Sequence, residues 1–117
     1  MRSFVVLAGA LLALGGCGSS SPVPEQFIGG WGNDCSRPFM AFTPQGTMHI
    51  YAVDIDYKIK SASLSNGVLT VIYPDPDAGA TMTDTYAVEG NGLRQLKATS
   101  DKGGEAQFSG AAFSKCS

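Results

Sequence analysis

Between Cys35 and Cys116 the apolar residues recur with a period of two, the spacing of a pleated strand, and no segment carries the 3.6-residue period of an amphipathic helix. Turn formers punctuate this run at Pro44-Gln45-Gly46, Ser65-Asn66-Gly67, Pro74 to Gly79, Glu89 to Gly92 and Asp101 to Gly104. Glycine supplies positive φ at such places, while Pro, Asn and Asp preset the geometry of hairpin turns. The intervening stretches are predicted strands: Arg37 to Thr43, Thr47 to Val53, Tyr57 to Lys60, Val68 to Tyr73, Thr81 to Val88, Leu93 to Thr99 and Ala106 to Phe113. Tyr57-Lys58-Ile59-Lys60 alternates apolar and cationic residues, as a strand with one buried and one wet face requires. Val68 to Tyr73 is apolar on both faces and belongs at the centre of the sheet. Seven or eight short strands in this order predict an all-β chain, a small antiparallel meander closed into a barrel, with a compact β-sandwich as the alternative. A single helical turn is expected only around Glu25 to Phe27.

The N-terminus breaks the pattern. Met1-Arg2-Ser3 precedes an unbroken apolar run from Phe4 to Leu14, followed by Gly15-Gly16-Cys17. One cation, a short apolar stretch and small residues before a cut site make a secretion signal. Eleven helical residues rise only about 16 Å, half the thickness of a bilayer core, which is too short for a spanning helix. Leu14-Gly15-Gly16-Cys17 resembles the lipobox of bacterial lipoproteins. That resemblance implies that Cys17 is the first residue of the mature protein and carries a thioether lipid and an acylated amine. Several acyl chains on one cysteine anchor a protein stably, where one is marginal. Gly18 rather than Asp after the lipid site points to the outer membrane, facing the periplasm. The expected layout is a lipoprotein signal peptide over 1–16, a lipidated cysteine and flexible tether over 17–25, and a β-barrel domain over 26–117.

Composition narrows the function. With 117 residues the chain holds one small domain, and 8 Lys+Arg against 10 Asp+Glu leave no basic patch for nucleic acid. Once Cys17 is assigned to lipid, Cys35 and Cys116 remain as an even pair in an oxidising compartment and are expected to form a disulfide. Two thiols and the single His49 make a poor zinc site, and no metal or cofactor is expected.

Phe27-Ile28-Gly29-Gly30-Trp31-Gly32 places a Gly-x-Trp at the entry to the first strand, ahead of Cys35 and the first hairpin. This resembles the start of lipocalin-like (calycin) barrels, and the resemblance makes Trp31 the plug of the closed end. It is also similar to small bacterial envelope proteins that open with Gly-x-Trp and finish on a Cys in the last strand, here Phe113-Ser114-Lys115-Cys116. Small periplasmic inhibitors of metalloproteases share the Gly-x-Trp, but their inhibitory segment lies before the barrel and their cystine is local.

No nucleophile elbow, zinc-binding helix motif or phosphate-cradling glycine loop occurs, and no catalytic residue is assigned. His49, within Met48-His49-Ile50-Tyr51, is read as an outward-facing strand residue. Asp54 and Asp56 sit at a turn, and Asp75, Asp77 and Asp84 are taken to surround the Pro74–Gly79 loop, where Asp and Pro serve as turn formers. Phe39 and Phe42 stand at an odd offset, so one of them is expected outside. Phe39, Phe42, Tyr51, Tyr57 and Tyr73 form the candidate binding surface. The expected function is a non-enzymatic, lipid-anchored envelope module that meets a protein partner through its surface, as an inhibitor or accessory subunit. The alternative is a carrier of a small apolar ligand in a cavity lined by Tyr57, Ile59 and Tyr86.

Overall fold

The computed structural model describes residues 21–107 and 112–116. The expected signal peptide, Cys17 and Phe108 lie outside the described residues. Among the described residues, apart from one 3-10 turn, Glu25–Phe27, every regular element is a strand: β1 Gly29–Gly32, β2 Met40–Phe42, β3 Thr47–Ile50, β4 Ile55–Lys58, β5 Ser61–Ser65, β6 Val68–Asp75, β7 Ala80–Glu89, β8 Gly92–Ser100, β9 Glu105–Gln107 and β10 Ala112–Lys115. All pair antiparallel in the order β4-β3-β2-β1-β10-β8-β7-β6-β5, with β9 on β8. The sheet curls through 276°. Its two ends, β4 and β5, are consecutive in the chain, so Ile59 and Lys60 bridge the opening covalently. There the backbone divides its hydrogen bonds, Ile59 N–H donating to Gly46 O and Lys60 N–H to Ile72 O.

The hairpins form where turn residues allow them. Asn66 and Gly67 both have positive φ, 52° and 76°, which a tight turn between β5 and β6 requires. β5 itself, Ser61-Ala62-Ser63-Leu64-Ser65, escapes the sequence reading because serine is a poor strand signal. Leu96 forms a bulge in β8, since the register jumps from Thr85↔Lys97 to Tyr86↔Gln95.

Inward positions hold the core: Phe27, Trp31, Met40, Phe42, Met48, Ile59, Leu69, Val71, Tyr86, Leu93 and Phe113 are buried. Trp31 donates its indole N–H to Phe27 O at 2.9 Å, which satisfies the one polar atom of a buried ring. Val23 is also buried, 4% exposed, and Pro22 lies against Gly46. The described end of the expected tether is therefore packed domain, because Val23 joins Phe27 and Trp31 in one buried cluster.

Cys35 and Cys116 are joined, with S–S 2.08 Å and Cα–Cα 5.2 Å. The bond ties the loop after β1 to the end of β10, its neighbour in the sheet. Glycine makes this crossing feasible. A Cβ on Gly32 would stand 2.9 Å from Phe39 N and 3.0 Å from Pro38 Cα, so the loop rests directly on the strand backbone. At Gly30 the nearest atom, Cys116 Cβ, is 3.5 Å away.

Candidate functional site

The loop held by the cystine carries an outward-facing aromatic site. Asp34 Oδ1 accepts from Ser36 N at 3.0 Å and Ser36 Oγ at 2.7 Å, and these bonds hold its carboxyl below the ordinary aspartate range. Arg37 N–H donates to Asp34 O at 2.9 Å, completing the turn that presents Pro38 and Phe39. Phe39 is 38% exposed, and its ring stacks on buried Phe113 at 4.9 Å between centroids with the planes 7° apart. Tyr51, 47% exposed, donates its backbone N–H to Phe39 O. Its ring stands edge-on to His49 at 4.6 Å. Between these groups runs a groove of about 580 Å³, lined by Asp34, Arg37, Pro38, Phe39, Tyr51 and Phe113 among others.

The five expected surface aromatics thus separate. Phe39 and Tyr51 share one outward groove. Phe42 and Tyr73 are corrections: Phe42 pairs with Met48, the two sharing the inner face, and is 1% exposed, while Tyr73 is inward and 8% exposed. Tyr57 faces inward at the open edge, half-buried, with its ring 5.1 Å from Tyr73. Alternation put one of Phe39 and Phe42 outside, and it is Phe39.

His49 points outward, as its strand parity predicts, and lies between two carboxylates. Nδ1 is 2.8 Å from Asp56 Oδ1 and Nε2 is 3.4 Å from Asp54 Oδ1. Asp54 reaches this position from a left-handed conformation, φ 53°. Each ring nitrogen thus faces a carboxylate. Among the described residues no group of three or more His, Cys, Asp or Glu is disposed to hold a metal.

Among the described residues the interior contains one acid. Asp84, 5% exposed, accepts from Tyr73 Oη at 2.9 Å and Tyr86 Oη at 3.4 Å, both on Oδ2, while Oδ1 has no partner among the described residues. Burial outweighs the two phenols and pushes its carboxyl up to about 6. Burial and the Asp84 charge likewise raise both phenols. Asp84 is a second correction, since it does not join Asp75 and Asp77 at the loop. Asp75 Oδ1 instead accepts from Asp77 N–H within that turn. The signal was present: Met82, Asp84, Tyr86 and Val88 share the apolar parity of β7.

Opposite walls of the barrel meet in the middle. Tyr86 Oη of β7 is 3.8 Å from Met40 Sδ of β2; Ile59 and Tyr86 both belong to the buried core, and Ile59 also lines a pocket of about 340 Å³ with Lys58, Lys60, Pro74 and Thr81. A cleft of about 720 Å³ is lined by Gln26, Phe27, Trp31, Val88, Asn91 and Lys115 among others. No family model, no curated protein and no solved structure matches this chain.

Proposed function

We propose that this chain is a lipid-anchored, non-enzymatic module of the cell envelope that acts through its outer surface on a protein partner, as an inhibitor or accessory subunit. Anchoring is assigned to Cys17, whose Leu14-Gly15-Gly16-Cys17 setting supplies the argument for an outer-membrane, periplasm-facing location. The observation that carries the binding reading is the groove holding Phe39 and Tyr51. Two half-exposed aromatic rings flank a cation, Arg37, and an acid, Asp34, on a loop that the cystine pins to the sheet. Aromatic and Arg anchors with a polar rim are the composition of binding hot spots, and rigidity lowers the entropy cost of docking. The contact between Tyr86 and Met40 supports this surface reading over the small-ligand carrier, because it brings side chains of β7 and β2 together across the interior.

The test is cross-linking in intact envelopes followed by purification of the full chain. A specific protein adduct that disappears in Phe39→Ala and Tyr51→Ala, both with unchanged melting temperature, supports the groove. An adduct indifferent to both substitutions refutes it. Cys17→Ser is expected to release the protein from membranes, and a variant that stays bound removes the anchor.

A further inference from the structure

We infer that a second copy of this chain pairs with β5, edge to edge and antiparallel about Ser63. One edge of β5 is hydrogen-bonded to β6 in the register Ser61↔Ile72 to Ser65↔Val68; along the other edge no strand runs among the described residues. β4 does not cover it: β4 pairs with β3 at the other end of the sheet order. An open edge of this kind is usually protected by charge, proline or a bulge. Ser61-Ala62-Ser63-Leu64-Ser65 has no charge and no proline, and its pairing with β6 is continuous.

The side chains point the same way. Ala62 and Leu64 lie opposite Val71 and Leu69, both wholly buried, so they stand on the inner, apolar face. Leu64 is nevertheless 43% exposed, because the sheet stops there. Among possible occupants, a second β5 matches this edge residue by residue. Rotation about Ser63 sets Ser61 against Ser65 and Ala62 against Leu64, so apolar meets apolar on the inner face and hydroxyl meets hydroxyl on the outer. The same register places Lys60 beside Asn66 of the other copy, and the two lysines do not oppose each other. The inference is independent of the Phe39–Tyr51 groove.

Cysteine cross-linking of the full chain in its own membranes tests it. Ser63→Cys puts one thiol from each copy at the two-fold axis. After mild oxidation, with the Cys35–Cys116 bond verified by peptide mapping, a band at twice the monomer mass is expected at roughly tenfold the yield of Asn91→Cys, an exposed turn control. Adding Leu64→Lys to Ser63→Cys is expected to lower that yield several-fold with an unchanged melting temperature. Equal yields from Ser63→Cys and Asn91→Cys, no dimer band, or an adduct with a different protein each overturn the inference.

Discussion

The two halves of this barrel reach order by different means. On one side, β1 to β4 are strands of three or four residues, too short to bury much of their own surface. On the other, β6, β7 and β8 run for eight to ten residues and share long, nearly continuous ladders. The short half is held by what crosses it: the cystine, the loop lying on Gly32, and Val23 and Phe27 at its end. The long half is stable enough to carry a defect, a carboxylate with an unpaired oxygen in the core. Local hydrogen bonding suffices where strands are long, and distant ties are needed where they are short.

The largest expected effect comes from removing the tie. Cys35 and Cys116 are 81 positions apart, and loop-closure entropy for that length gives an upper guide of about 4.5 kcal/mol. Hydrogen exchange under reducing conditions is expected to show β1 to β4 losing protection before β6 to β8. Uniform loss across both halves would mean that the bond supports the barrel as a whole.

Asp84 offers a test of the long half. Its folded carboxyl titrates near 6 against an ordinary 3.8, so the unfolded chain ionises first as pH rises. Stability from this group is therefore full below about pH 4 and is lost as pH climbs through 6, by about 3 kcal/mol in all. Hydrogen bonds from Ser36 and Arg94 hold the exposed carboxylates Asp34 and Glu89 below their ordinary ranges. Denaturant unfolding from pH 4 to pH 7.5 should show the decline in the native protein and a flat profile in Asp84→Asn. A decline shared by both would assign it elsewhere.

A smaller effect sharpens the contrast inside the short half. Gly32→Ala forces a Cβ against the Phe39 backbone and is expected to cost about 1–3 kcal/mol, measured by chemical denaturation. Gly30→Ala meets only ordinary contact with Cys116 Cβ and should cost less. Equal costs would mean that the loop yields.

Much of the fold was legible because its determinants are local. Period-two alternation marked β3, β7 and β8, an unbroken apolar run marked β6 (expected at the centre of the sheet, but next to its edge strand β5), and Asn66-Gly67 marked a hairpin by its backbone freedom. The site was legible in part. Odd spacing separated Phe39 from Phe42, but the meeting of Phe39 and Tyr51 follows from the β2–β3 register: Met40↔Ile50 sets the two opposite each other, and Phe113 of β10 joins their groove only in the folded sheet. β5 was missed because its serines carry no hydrophobic signal and its pairing with β6 supplies the strand.

By itself, then, the sequence determined the strand character, the turns and the chemistry on offer, each set by the conformational limits of residues next to one another. Which tyrosines meet Asp84, which strand end faces solvent and which glycine bears the crossing loop were decided only by the curling of the sheet. Those contacts join residues tens of positions apart, and their energies exist only once the backbone has brought them within reach.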